Sequence, residues 1–216
     1  MCGISGCVFA NKKSSLLEKQ GAFMLNSLHH RGPDGNDYWL DGDNHILLCH
    51  NRLAIQDLSV AGKQPMSSTS KRYIITFNGE IYNFRELRRE LSLLGYLFDG
   101  GSDTEVILAS FDEWGVEQSL GRFNGMFAFV VWDSVAKTLL LARDRLGEKP
   151  LYYGWVSDGF LFASELKTFK TAFSELQINE SIVPDFLSFA RKEVTLRMLV
   201  VTIIKFTSQT WIIFHR

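Results

Sequence analysis

Cys2, one residue behind the initiating methionine, is a position of this 216-residue chain that could do chemistry without help from a distant side chain. Removal of Met1 would place a thiol and a free α-amine on one residue. An α-amine has an ordinary pKa of ~7.7 to 8.0, so it can take the thiol's proton near neutral pH. Cys2 would then be both the nucleophile and the carrier of its own base. The plainer reading is a small apolar cysteine in a strand, and the residue alone does not decide between the two. Two other uses of cysteine compete. A zinc site from Cys2, Cys7, Cys49 and His50 lacks the paired C-x2-C spacing of such sites, so no metal is expected. A thiol–imidazole pair with His30 or His50 as base has no local signature, and His29, His30, His45 and His50 read as polar strand and loop residues.

Three further places could serve a nucleophile at Cys2. Asn78-Gly79 follows a strand-like run over 73–77, and a side-chain amide beside a glycine N–H offers two donors to one developing oxyanion; the competing reading is an Asn-Gly hairpin turn. Arg52, three residues past Cys49, has the planar fork that clamps a carboxylate through two hydrogen bonds. Asp103, after Gly101-Ser102, stands at a predicted helix start, where it serves either to bind an ammonium or as a plain N-cap.

These groups need elements to hold them. An apolar run over 4–9 reads as a strand. Ser15 and Glu18 have capping-box spacing ahead of Leu16, Leu17, Phe23, Met24 and Leu28, with Gly32-Pro33 as the stop. Helices are also expected from Asn83 to Gly95, burying Leu87, Leu91 and Leu94, and from Asp103 through Val106, Ile107, Phe111 and Trp114 to Gly115. Elsewhere the period is that of strands. Asp41-Gly42 and Asp158-Gly159 separate apolar runs as hairpin turns do, and a run over 127–132 faces one over 138–142 across a short turn. Antiparallel hairpins with helices grouped outside them predict an α+β layered fold. Strands apolar at nearly every position fit two packed sheets sandwiched by helices.

Composition narrows the partners. Apolar residues make up 46% and charged residues 22%, and 23 basic against 24 acidic side chains leave a net charge of -1, so neither nucleic acid nor an anionic membrane is expected as a partner. Three cysteines are too few and too odd for a disulfide scaffold, which predicts a reducing, cytoplasmic setting. The N-terminus lacks the charged and apolar regions of a secretory signal. In the apolar stretch over 194–216, Arg197 and Lys205 interrupt runs that fall short of the ~18 residues a spanning helix needs.

Blocks along the chain carry a resemblance. Cys2-Gly3-Ile4, His30-Arg31-Gly32-Pro33-Asp34-Gly35, Arg52-Leu53-Ala54-Ile55-Gln56-Asp57-Leu58, Gln64-Pro65-Met66, Phe77-Asn78-Gly79-Glu80-Ile81-Tyr82-Asn83, Gly101-Ser102-Asp103-Thr104-Glu105, Ala142-Arg143-Asp144-Arg145-Leu146-Gly147 and Ala163-Ser164-Glu165-Leu166-Lys167 occur in this order. They resemble the glutamine amidotransferase domain of the glutamine-hydrolysing asparagine synthetase family, from Met1 to about Phe189. Glucosamine-6-phosphate synthase and amidophosphoribosyltransferase, which share the N-terminal cysteine, differ at these blocks.

The resemblance implies the four-layer αββα sandwich of N-terminal nucleophile hydrolases, two antiparallel sheets flanked by helices. It implies that Cys2 attacks the side-chain amide of L-glutamine to form a thioester, with Asn78 and Gly79 as the oxyanion donors. Arg52, Leu53, Ala54, Ile55 and Gln56 would hold the carboxylate side of glutamine, and Glu80 and Asp103 its amino-acid head group.

The likeness fails after Phe189. A family member would continue into a synthetase domain whose Ser-Gly-Gly-x-Asp-Ser loop binds ATP, with Mg, to activate aspartate, and that motif does not occur before Arg216. The expected organisation is therefore a glutaminase domain over 2–189 that carries no cofactor, and a divergent apolar tail over 190–216 that reads as an unpaired strand or an aggregation-prone segment. This is the pattern of a truncated or alternatively spliced product. The expected partners are L-glutamine and a separate synthetase domain or subunit that takes up the ammonia; a homo-oligomer is compatible with it. The contrasting reading is a non-catalytic regulatory or interaction module that keeps the fold, which release of glutamate from glutamine would exclude.

Overall fold

Runs of apolar strand residues, from Gly3–Phe9 to Gly159–Ala163, become two antiparallel sheets packed face to face in the computed structural model. The structure describes residues 1–55, 57–156 and 159–172, together with two strands over 202–207 and 210–215. In chain order the elements are β1 (Gly3–Phe9), α1 (Ser14–Ser27), β2 (Gly35–Asp41), β3 (Ile46–Arg52), β4 (Met66–Ser67), β5 (Tyr73–Ile81), α2 (Phe84–Leu93), α3 (Asp103–Arg122), β6 (Gly125–Asp133), β7 (Thr138–Arg143), β8 (Tyr152–Val156), β9 (Gly159–Ala163), α4 (Lys167–Ala172), β10 (Thr202–Thr207) and β11 (Thr210–His215). One sheet runs β2-β3-β1-β9-β8 and the other β11-β10-β7-β6-β5-β4. The expected α+β sandwich is the fold observed.

Three apolar clusters make the four layers. Ile4, Val8, Ile46, Leu48, Ile74, Ala128, Val130, Trp132, Leu139, Leu141, Phe160 and Phe162 fill the space between the sheets. Cys7, Phe9, Leu17, Met24, Leu47, Leu161 and Phe169 pack α1 and α4 onto the outer face of the first sheet. Tyr73, Ile75, Phe77, Ile81, Leu87, Leu91, Val106, Ile107, Phe111 and Phe129 pack α2 and α3 onto the second. Successive strand residues alternate faces, so on β1 and β5 alike the even-numbered residues face the partner sheet and the odd-numbered ones face helices. Both faces of the central strands β1, β3, β5, β6, β7 and β9 are thus covered, which is why these strands lack polar alternation.

Several local expectations need correction. The α1 N-cap is Lys13, with no side-chain cap, and Ser15 lies inside the helix. α3 does not stop at Gly115: that residue takes φ 76° and breaks the axis, and the helix resumes to Arg122. Asn78-Gly79 is no turn, because β5 continues through both to Ile81, pairing Asn78 with Ala128 and Gly79 with Phe127. Asp158 of the predicted Asp158-Gly159 turn lies outside the described residues, although β8 and β9 pair as expected. In the apolar C-terminal stretch, β10 pairs with β7, Ile204 opposite Leu141, and with β11. The segment expected to stay unpaired therefore extends the second sheet at its edge.

Candidate active site

Alternation on two strands brings the site together. Continuing the β1 pattern one residue back from Gly3 puts Cys2 on the face that carries Ile4 and Val8 toward the second sheet. β3 pairs antiparallel with β1, Ile4 opposite His50, so His50 shares that face and Arg52 follows it at the strand end. From the other side Thr76, whose hydroxyl donates to Cys49 O across the gap at 3.0 Å, marks the inward face of β5, and Asn78 lies two residues on. Cys2, Arg52, Leu53, Ala54, Ile55, Asn78, Gly79, Glu80 and Asp103 line one pocket. Every sequence-predicted site residue is there except Gln56, which lies outside the described residues.

Cys2 is held from two sides. Leu53 N–H donates to Cys2 Sγ at 3.4 Å, and the thiol lies 3.6 Å from Leu53 O. Burial pushes the Cys2 thiol up, outweighing the Leu53 hydrogen bond and the positive charges of the N-terminus, Arg52 and Arg31. The group is therefore a thiol at neutral pH, and attack requires a base beside it. Arg31 Nε donates to Cys2 O at 3.1 Å while its Nη1 bonds Glu165 at 3.0 Å. Burial opposes ionisation of Glu165, but hydrogen bonds from His30, Arg31 and Lys167 prevail and hold its carboxyl down at about 2. That cluster fixes the backbone of Cys2.

The pair at 78–79 presents two unspent donors. Asn78 is 2% exposed, and its Nδ2 is buried without an acceptor. On β5, Phe77 N–H donates to Gln64 Oε1 at 2.7 Å and Ile81 N–H to Asp103 Oδ2 at 2.9 Å, whereas Tyr82 N–H turns toward β6 and Asn124 O. Backbone groups alternate sides along a strand, so Gly79 directs its N–H off the β6 ladder, between Gln64 and Asp103 and into the pocket. A Cβ at Gly79 would collide with the Met126 carbonyl and lie 2.7 Å from Phe127 Cα. Only glycine lets β5 pack this closely while its N–H points outward.

The polar wall divides by charge. Arg52 Nη2 donates to Asp57 O, and Ala54 N–H to Asp34 Oδ2 at 2.9 Å, which shapes the loop after β3. Asp103 is not the N-cap of α3; Ser102 is, its hydroxyl accepting from Glu105 N–H. Asp103 instead caps the Ile81 amide in the first turn, 5% exposed, and burial chiefly pushes its carboxyl up to about 6 against that hydrogen bond. His50 donates from Nε2 to Phe77 O at 3.2 Å, and burial lowers it to about 4, so it is a neutral strut between the sheets.

Two residues escape a reading of spacing alone. Arg31 reaches Cys2 from the turn after α1. Lys149, 8% exposed, lines the pocket with its ammonium 3.6 Å from Met1 Sδ, held there because Asp144 ties down the turn that precedes it. A basic residue inside a Gly-x-Lys-Pro turn was the available signal, and nothing in the sequence aims it at the N-terminus. Cys7 and Cys49 lie in the layer between α1 and the first sheet, free and buried.

The chain is similar to known proteins over most of its length. A family profile described as "Glutamine amidotransferase domain" covers residues 1–216. Asparagine synthetase [glutamine-hydrolyzing] 3 of Bacillus subtilis is 46% identical over 170 residues, which is 77% of this chain and 27% of that protein. Asparagine synthetase B [glutamine-hydrolyzing] of Escherichia coli is 40% identical over 168 residues, 77% and 29% of the two lengths. The chain thus spans less than a third of either relative. Among solved structures, glutamine phosphoribosylpyrophosphate amidotransferase from B. subtilis, complexed with ADP and GMP, superposes with a TM-score of 0.67 at 22% identity, covering 79% of this chain and 43% of that one, a likeness of fold. No helix among the described residues is long and apolar enough to cross a membrane.

Proposed function

Because the chain belongs to the glutamine amidotransferase domain family, with asparagine synthetases among its relatives, we propose that it hydrolyses L-glutamine to glutamate and ammonia through a thioester on Cys2. The buried Asn78 Nδ2, which has no protein acceptor, beside the outward Gly79 N–H is the observation that carries this reading. Once Met1 is removed, the Cys2 α-amine takes the thiol proton as sulfur attacks the side-chain carbonyl carbon. The carbonyl oxygen becomes an oxyanion bonded by Asn78 Nδ2 and Gly79 N–H. The tetrahedral intermediate collapses, the amine returns its proton to the leaving nitrogen, and ammonia departs. Water, deprotonated by the same amine, then attacks the thioester, releasing glutamate and restoring the thiol. Arg52 and the 53–56 segment clamp the α-carboxylate, and Glu80 and Asp103 face the α-ammonium.

On this reading the ammonia serves an ATP- and Mg-dependent synthesis of asparagine from aspartate on a separate synthetase domain or subunit, in the cytoplasm, and the glutaminase unit is 2–189. Glutamate release by the untagged chain, combined with its intact mass, tests the proposal. Turnover by the form that lacks Met1, and loss of it when an N-terminal extension is present, is the expected result. Full turnover with Met1 retained would overturn the amine's role.

A further inference from the structure

The loop after β3 crosses the pocket and is tied on its far side to the segment that leads into α3. Asp57 makes that tie. Its carboxylate accepts Ser59 N–H at 2.7 Å within the loop and Gly101 N–H at 2.9 Å across the gap, and its carbonyl receives the Arg52 guanidinium. The far side is equally well built. Glu105 of α3 accepts Asp99 N–H at 3.0 Å and Gly100 N–H at 2.9 Å, and Arg88 donates to Gly100 O at 2.8 Å, so the strip over 99–101 is rigid and the one amide it offers to the loop is that of Gly101. The contact is also close. A Cβ on Gly100 would stand 2.7 Å from Asp57 Oδ2 and 2.8 Å from Ala61 Cβ.

Arg52 belongs to the first sheet and Asp103 to a helix over the second, and Asp57 hydrogen-bonds both to Arg52 and to the strip two residues before Asp103. We propose that Asp57 is a positioning residue that sets the spacing between the Arg52 clamp and the Asp103 carboxylate, and thereby selects substrates that carry both an α-carboxylate and an α-ammonium. This rests on the assignment of glutamine's head group to Arg52 and Asp103. One residue then does by geometry what neither charge does alone: an unlatched loop still contains Arg52, but no longer at a fixed distance from the acid. The carboxylate is suited to the task, since its hydrogen bonds from Ser59 and Gly101 hold it below the ordinary range and keep it an acceptor through the neutral pH range.

The test attacks the latch from both sides in the full chain. Asp57→Ala removes the acceptor, and Gly100→Ala leaves Asp57 intact but wedges the strip away from it. Each should raise KM for glutamine ~tenfold with a smaller change in kcat, and the double variant should be no worse than either alone, since both break one contact. Preference for glutamine over its des-amino analogue, 4-carbamoylbutanoate, should fall in parallel. Asp57→Asn keeps an acceptor oxygen and should recover most of the loss, which a variant damaged only in folding would not do. Additive effects, or an unchanged KM and preference in both single variants, overturn the proposal. Amide hydrogen exchange at Gly101, faster in Asp57→Ala than in the parent chain, reads the latch without turnover. A parent chain that exchanges slowly there but releases no glutamate would refute the glutaminase reading and leave the latch standing. Equal exchange in both chains would refute the latch whatever the activity.

Discussion

Asn78 Nδ2 lines the pocket, buried and with no protein acceptor. In the proposed mechanism the oxyanion supplies an acceptor in the transition state only, so Asn78→Ala should lower kcat by ~10²- to 10³-fold with little change in KM. The same variant should melt no lower than the parent, because the orphaned group goes with the side chain; steady-state kinetics and a thermal scan check both halves. Arg52 touches the unreactive end of glutamine in the proposed complex. Arg52→Ala should therefore raise KM well above its effect on kcat, and identical profiles for the two variants would show their roles to be misassigned. Asp103 adds a pH dependence. Its carboxyl, ordinarily near 3.8, is pushed up to about 6 in the folded chain, so between those values the native state holds more protons than the unfolded one, and this group's contribution to stability is lost as pH rises through the window. Binding an ammonium needs the ionised form. KM for glutamine should climb as pH falls below about 6, and Asp103→Asn should flatten that limb while raising KM throughout.

At the scale of the elements, parity does the positioning. Even-numbered residues of β1 and β5 face one another across the sheets, and that alternation is present in the sequence at Ile4 and Val8 and at Ile74 and Thr76. It fades at the site itself, where Asn78 and Gly79 replace the apolar pattern with the residues of a turn, because there the strand must supply donors in place of packing. Cap residues are equally ambiguous: Ser102 and Asp103 are both good N-caps, and only the Ile81 amide, brought up by β5, shows that Asp103 is engaged elsewhere. Arg31 and Lys149 meet Cys2 and Met1 through contacts distant in sequence, which no local pattern contains. The steepest element-level prediction falls on Gly79. An added methyl must push β5 off β6 at Met126 and Phe127, so Gly79→Ala should abolish glutaminase activity and lower the melting temperature, whereas Gly101→Ala, where a Cβ meets nothing within 4 Å, should spare the melting temperature.

Over the whole molecule, the second sheet separates the C-terminal strands from the chemistry. β7 and β6 stand between β10 and β5, so deletion of residues 194–216 should leave kcat/KM for glutamine within ~twofold of the parent, distant sites being close to independent. The melting temperature should fall, since β7 then becomes an open edge, and a chain that loses its circular dichroism altogether would place these strands inside the folding unit. In the proposed mechanism the two sheets also divide the reaction between them. Cys2 belongs to the first and Asn78 to the second, with Ile4, Ala128 and Val130 filling the ~10 Å between their backbones. In that mechanism the sulfur and the oxyanion donor therefore meet across the packed apolar layer that joins the sheets. Hydrostatic pressure, which thins such a layer without altering a single side chain, should change the rate of thioester formation well before it unfolds the protein, and the enzyme becomes a gauge of its own interior.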